Sequence, residues 1–385
     1  MTQALRFDPI RLPPEIQALR LEARELLADC RARGVYGEKS DAPRPVQMRA
    51  FAKEVAKKGW IGMTWPKEYG GRERSFLERY VISEEILVDR APNRTFFVAD
   101  RQSGPTLIRY GSEAIKRRVL PQVVAGEAMF CIGMSEPNSG SDLFAARAKA
   151  ERVEGGWRLT GTKIWTSGAE TADWMIGLFR SSPPTNENRR HGLTSFLVDM
   201  HAPGIEVRPI RQMTGEDGFN EVIFDGVFLP DEQVIGEIDA AWKQATSELA
   251  YERSGPERFL ETWPALKALA EAVPPEPDDR TAEGLGRLVA QVHALRRMSV
   301  SVAGMLEAGR EPVTEAAIVK DLGTVWEKRL PAEVRRIAAL LPPEARDGAF
   351  QAVLDHETRV APKLTIQGGS TEILRGIVAR GLGLR

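Results

Sequence analysis

The sequence predicts an α+β chain: an N-terminal helical domain, a central antiparallel β-domain and a C-terminal four-helix bundle. Three observations predict it. Apolar residues recur at three- and four-residue steps through the first third. The pattern then changes to short runs rich in branched and aromatic residues, set off by Gly, Pro, Asn or Asp. From Ala241 onward the helical period returns. The expected domains are 1–127, 128–238 and 239–385. A chain of 385 residues exceeds the size at which a single core keeps growing, which agrees with more than one domain.

In "LPPEIQALRLEARELLADCRARG" the residues Ile16, Leu19, Ala23, Leu26 and Cys30 line one face of a helix. "VQMRAFAKEVAKKG" and "SFLERYVISEEILVDR" read as further helices, separated by the Gly/Pro-rich "TWPKEYGGRE". "AKAERVEGGWRLTGTKIWTSG" pairs two extended runs across Gly155-Gly156, a hairpin signal. "MIGLFRS", "LTSFLVDM", "GIEVRPI" and "EVIFDGVFLP" add strands at regular spacing. The stretch "WKQATSELAYERSGPERFLETWPALKALAEAV" reads as one helix that stops at "PPEPDD". Leu285, Leu288, Val292, Leu295, Ser299 and Val302 form the seam of a second, and two more begin near "PVTEAAIVKDLGTVWEKRL" and "DGAFQAVLDHETRV".

Hydrophobic content of 42%, charged content of 28% and a net charge of -1 describe a soluble globular protein with no global field for nucleic acid or an anionic membrane. Cys30 and Cys131 lie far apart and outside any CxxC spacing, and His191, His201, His293 and His356 form no spaced ligand set. A disulfide framework or metal site is therefore not expected, and a reducing, cytoplasmic location is. The N-terminus lacks an apolar stretch of signal-peptide length, and no apolar run approaches the roughly 20 residues that span a bilayer.

The densest chemical signal is "MFCIGMSEPNSGSDL", where Ser135, Ser139 and Ser141 supply hydroxyls, Pro137 and Asn138 a turn, and Gly140 a position without a Cβ beside a ligand. "GTKIWTSGAETADW" adds Trp165, a flat apolar face for an aromatic ring system, with the hydroxyls of Thr166 and Ser167 beside it. Each alone reads equally well as an ordinary loop or a core tryptophan.

Together with the C-terminal "IQGGSTEILRGIVARGLGL", these clusters resemble the acyl-CoA dehydrogenase family. "GWIGMTWPKEYGG" and "VFLPDEQVIG" extend the resemblance over nearly the whole chain. It implies FAD as cofactor and an acyl-CoA thioester as substrate, in fatty acid or lipid catabolism. It further implies that Ile132, Met134, Ser135, Gly140, Ser141, Trp165, Thr166 and Ser167 meet the flavin, as do Ser370, Thr371 and Glu372 at the start of the last helix. Ser141, Arg253 and Gly369 fall at substrate positions. A helix N-terminus with free N–H groups suits an anionic or carbonyl-rich ligand at the last of these segments.

In that family a carboxylate removes the α-proton while hydride leaves the β-carbon for flavin N5. Many members carry the carboxylate where this chain has Gly368, which keeps the backbone N–H that polarises the thioester carbonyl but has no side chain. Other branches place the base on the first bundle helix, and Glu252, followed by Arg253, falls on that position. Glu248, one turn earlier, is the competitor. Burial against apolar surfaces would raise the basicity of such a carboxylate.

The arginine that family tetramers lend to a neighbour's FAD pyrophosphate is missing. Its connection is the acidic "VPPEPDDRTAEG", with only Arg280 nearby, and "LLPPEARDGAFQ" replaces a glycine-rich segment. Either a homodimer or homotetramer holds FAD by its own loops, or the chain is one half of a heteromer with a paralogous subunit. A structural subunit without chemistry of its own, and a flavin-dependent elimination or oxidation on the same fold, complete the alternatives. Electron-transferring flavoprotein is the expected acceptor by resemblance. The empty corner at Gly368 implies room for branched or bulky acyl groups.

Overall fold

The computed structural model describes residues 5–37, 45–185, 188–241 and 253–384. In chain order come α1 (Pro14–Ala32), α2 (Pro45–Lys57), α3 (Phe76–Asp89), α4 (Arg94–Val98), a π-turn (Ala99–Ser103), α5 (Gly104–Tyr110) and α6 (Glu113–Val124). Strands follow: β1 (Phe130–Gly133), β2 (Lys149–Val153), β3 (Gly156–Ser167), β4 (Trp174–Arg180), β5 (Leu193–Asp199), β6 (Ile205–Ile210), β7 (Phe219–Pro230) and β8 (Val234–Ile235). The C-terminal helices are α7 (Trp263–Ala272), α8 (Asp279–Glu307), α9 (Val313–Ala338), α10 (Gly348–Val360) and α11 (Thr371–Gly381). Among the described residues no helix is long and apolar enough to cross a membrane.

Two compact units emerge: a helical unit (Met1–Leu27, Ser75–Arg90, Ala250–Arg385) and a sheet unit (Ala28–Arg74, Ala91–Leu249). The periodicity of α1 is realised, with Ile16, Leu19, Ala23, Leu26 and Cys30 all buried. Both cysteines are buried and free.

The sheet unit holds one sheet in the order β6-β7-β3-β2-β4-β5-β8, with β1 added on β4. Gly155 takes φ +72° in the β2–β3 hairpin, a conformation glycine adopts without Cβ strain. Most pairings are antiparallel, but β1 runs parallel to β4, Phe130 opposite Trp174 and Gly133 opposite Gly177. The β2–β3 hairpin intervenes in sequence and supplies the long crossover a parallel pair needs. Trp157, Phe179, Phe196 and Phe224 pack edge to face in the core behind the sheet.

In the helical unit Asp278 caps α8 and Asp347 caps α10 through backbone N–H groups. Leu288, Leu295, Ser299 and Val302 are buried along α8, with Leu285 and Val292 half-buried beside them, so the seam reads as expected. On α3, Glu84 and Glu85 are buried, and Arg20, Arg24 and Arg296 converge on them. Such a cluster is stable only because each carboxylate is paired.

One expectation fails. The helix read through "SELAYERSGPERFLETW" does not run unbroken in its described part: Pro256–Arg258 form a single tight turn and α7 begins only at Trp263. Gly255-Pro256 removes the helical continuation, and three contacts lock the break. The Ser299 hydroxyl donates to the Ser254 carbonyl, and the amides of Glu261 and Thr262 donate to the buried Glu327 carboxylate. Gly323 lets α9 approach so closely that a Cβ there would lie 2.3 Å from the Arg258 carbonyl oxygen. Burial, and then the charge of Glu261, push the Glu327 carboxyl well above its ordinary range.

Candidate active site

The sheet unit carries the first group of predicted residues. Ile132 sits half-buried on β1, and Met134 and Ser135 leave its end half-buried. The chain then doubles back: Glu136 and Ser139 exchange backbone hydrogen bonds of 2.7 and 3.0 Å around Pro137-Asn138, and the Ser139 hydroxyl donates to the Asp142 carbonyl. Gly140 and Ser141 lie exposed on this loop. A Cβ on Gly140 would meet no described atom within 4 Å, so nothing in the described chain itself demands glycine there.

The loop is pinned to β3 by a buried ion pair. Lys163, with no exposed surface, donates to Glu136 at 2.7 Å and lies 4.9 Å from the Phe179 ring centre. The same carboxylate accepts the amides of Arg147 (2.6 Å) and Ala148 (3.0 Å), and the Ile164 amide donates to the Ser135 carbonyl at 2.9 Å. Burial pushes the Lys163 ammonium below its usual range, and the Glu136 charge draws it part of the way back. Ser135 is thereby brought beside the strand segment that carries Trp165.

Between Lys163 and Thr166 the register with β7 slips by one residue, a bulge. Trp165 sits in it at φ +60°, a left-handed conformation that is costly for a bulky side chain. The strain brings the indole no burial, since 57% of the residue is exposed, with only an edge-to-face contact to Phe219. The next residue, Thr166, is 1% exposed, and its hydroxyl finds no partner among the described residues. Asn220, paired opposite, donates to the Thr166 carbonyl at 3.1 Å and to Glu170, which fixes the segment from below. Ser167 closes the strand half-buried.

The helical unit carries the second group. Gly368 (φ +65°) and Gly369 (φ +103°) make a corner only glycines adopt readily. Among the described residues no acceptor takes the N–H of either. The fully buried Lys320 of α9 donates to the Gly369 carbonyl at 2.7 Å. Arg253 is 3% exposed, and a Cβ on Gly369 would come 3.4 Å from its guanidinium. Ser370 stands at the N-cap of α11 and Thr371 opens the helix, both half-buried. Glu372 is exposed, and its carboxyl is held below the usual range by the Ser370 hydroxyl and the backbone. Leu374 anchors the helix in the core. Glu252 and its competitor Glu248 lie outside the described residues.

Sequence reasoning missed Glu136, Lys163, Asn220 and Lys320. A signal for Lys163 was present: Trp157, Leu159 and Lys163 share one strand parity, which buries the lysine and requires a carboxylate partner. Lys320 interrupts the apolar face of α9 beside Ala316, Ala317 and Val319.

Helices, a sheet and C-terminal helices thus follow in this order, with a strained indole displayed at a strand end and a glycine corner before the last helix. Comparison with known proteins gives the family. Sequence profiles of the acyl-CoA dehydrogenase N-terminal and middle domains match residues 13–127 and 131–227. The chain is 30% identical to acyl-CoA dehydrogenase IpdE1 of Mycolicibacterium smegmatis (strain ATCC 700084 / mc(2)155), covering 96% of this chain and 98% of that one. It is 35% identical over 353 residues to acyl-CoA dehydrogenase FadE34 of Mycobacterium tuberculosis (strain ATCC 25618 / H37Rv), covering 89% of this chain and 47% of that one, so it spans about half that relative's length. A solved structure described as "Tcur3481-Tcur3483 steroid ACAD" superposes with a TM-score of 0.82 at 28% identity, covering 97% of this chain and 98% of that one. The chain belongs to the acyl-CoA dehydrogenase family, whose cofactor is FAD.

Proposed function

We propose that the chain oxidises the α,β carbon–carbon bond of an acyl-CoA bearing a branched or bulky acyl group, with Glu252 as the base. The observation that carries this reading is the Gly368 corner: an N–H without an acceptor among the described residues, in a conformation that favours glycine, with no carboxylate attached. That corner offers a thioester oxygen a donor and leaves the proton to be taken from elsewhere.

Glu252 accepts the α-proton on its carboxylate while the β-hydrogen leaves with its electron pair, so the two carbons become doubly bonded. Negative charge that grows on the thioester oxygen meets the Gly368 N–H. FAD, when bound, supplies the acceptor for the hydride. Its fit to this chain is supported by Trp165, strained and exposed without a packing return, by the unmatched Thr166 hydroxyl and by the open space over Gly140. Within the sheet unit, Ile132, Met134, Ser135, Gly140, Ser141, Trp165, Thr166 and Ser167 would hold it. Arg253 and Gly369, neighbours in the helical unit, would orient the CoA thioester. Electrons pass on to an electron-transferring flavoprotein.

Two findings favour a bulky, steroid-like acyl group and assembly with a second, paralogous chain. One solved relative is described as a "Tcur3481-Tcur3483 steroid ACAD" and another as the ChsE4-ChsE5 complex from Mycobacterium tuberculosis. The acidic "VPPEPDD" connection before α8 agrees, because it offers a neighbour's pyrophosphate no cation. A homo-oligomer is the competing assembly.

The test is anaerobic mixing of the FAD-loaded protein with a steroid side-chain acyl-CoA and with butyryl-CoA. Flavin bleaching at least about tenfold faster with the bulky thioester is expected, on the scale of a few lost apolar contacts. Equal bleaching with both would contradict the bulky-substrate reading, and no bleaching with either would contradict dehydrogenation.

A further inference from the structure

We infer that Lys320 is a positioning residue for the reaction: its ammonium fixes the peptide of Gly369 so that the neighbouring Gly368 N–H stays available to the thioester oxygen. This rests on the reading of Gly368 given above and adds to it the group that holds the donor.

Lys320 has no exposed surface and lies on α9 among Ala316, Ala317 and Val319, all fully buried. A lysine in such surroundings is costly unless its ammonium is satisfied by a polar partner, so a place this deep asks for a specific one. The contact it makes with the corner is short, 2.7 Å to the Gly369 carbonyl, and charge-assisted. The Thr324 hydroxyl donates to the Lys320 carbonyl one turn on, which holds that turn of α9 together.

The corner needs such a brace. Gly368 and Gly369 both take positive φ, and glycine is the residue with most conformational freedom to lose. Local backbone contacts close the segment on either side, Gln367 to the Lys363 carbonyl and Thr371 to the Thr365 carbonyl, but none within it holds the Gly369 carbonyl. A donor that stabilises developing charge must be held in place before the reaction, because reorganising it costs part of its effect. Lys320 supplies that restraint from a neighbouring helix.

The inference is tested without turnover. Acetoacetyl-CoA has an acidic α-carbon, and its bound enolate is followed by absorbance as pH is varied on the FAD-loaded enzyme. In the wild type the midpoint should fall below that of free acetoacetyl-CoA. Lys320→Met should raise the bound midpoint by at least about one unit, equivalent to tenfold weaker enolate stabilisation, and Lys320→Arg should return it toward the wild type. Lys320→Gln gives the same comparison if the methionine variant does not fold. A bound midpoint unchanged in a folded, ligand-saturated Lys320→Met or Lys320→Gln protein overturns the role of Lys320 alone. A wild-type midpoint equal to that of the free thioester removes the Gly368 donor itself, and this inference with it.

Discussion

Two lysines with no exposed surface, Lys163 in the sheet unit and Lys320 in the helical unit, brace the two groups of candidate site residues in different ways. Lys163 reaches a carboxylate, Glu136, which also gathers two backbone amides, so a loop and a strand are stapled together by side chains. Lys320 reaches a backbone carbonyl and steadies one peptide of a glycine corner. The first arrangement leaves an indole exposed and a buried threonine hydroxyl without a partner among the described residues. The second carries a backbone N–H with no acceptor among the described residues, at a positive φ that favours glycine. Motif residues in both places touch ligand by expectation, but the stiffness they need comes from charged residues that the motifs do not include.

That contrast can be broken by substitution. The largest effect is expected at the staple. Lys163→Met leaves Glu136 buried without its cation, which costs about 3–5 kcal/mol of stability. Thermal or denaturant unfolding should show this loss in the apoprotein, before any ligand is added. Stability within 1 kcal/mol of the wild type would show that the pair is not what ties the loop to β3. A smaller effect, and of opposite character, is expected at Trp165→Gly. Glycine relieves the left-handed strain while an exposed side chain is lost, so apoprotein stability should stay within about 1 kcal/mol. FAD affinity should nevertheless fall about tenfold, the scale of a lost stacking contact. A variant that loses stability but keeps its FAD affinity would make Trp165 a packing residue.

The fold was legible because its periods are strong. The apolar stripe of α1, the Gly155 hairpin and the α8 seam each follow from spacing alone, and each is buried or paired as that spacing requires. The break at Gly255-Pro256 was harder to see, because the apolar residues Phe259, Leu260, Leu266 and Leu269 that follow it keep a near-helical rhythm. What settles that break is tertiary: the Glu327 carboxylate on a helix more than sixty residues away. The parallel placement of β1 on β4 was hidden for a related reason, since a four-residue buried strand carries no sign of its partner's direction. Among the site residues, Trp165 and the glycine pair were visible as types, but their left-handed backbone was not. The bracing partners lay far off in sequence, Glu136 to Lys163 and Lys320 to Gly369, where no local pattern connects them.

The central claim is that the base sits at Glu252 because the Gly368 corner has none. Flavin reduction in anaerobic single turnover, measured for Glu252→Gln and for Glu248→Gln with the same bulky acyl-CoA, tests it most directly. The account predicts a rate lower by about 10²–10⁴-fold for Glu252→Gln, the usual contribution of a general base, and a rate within tenfold of wild type for Glu248→Gln. Wild-type bleaching by Glu252→Gln, or the full loss appearing in Glu248→Gln instead, would contradict it.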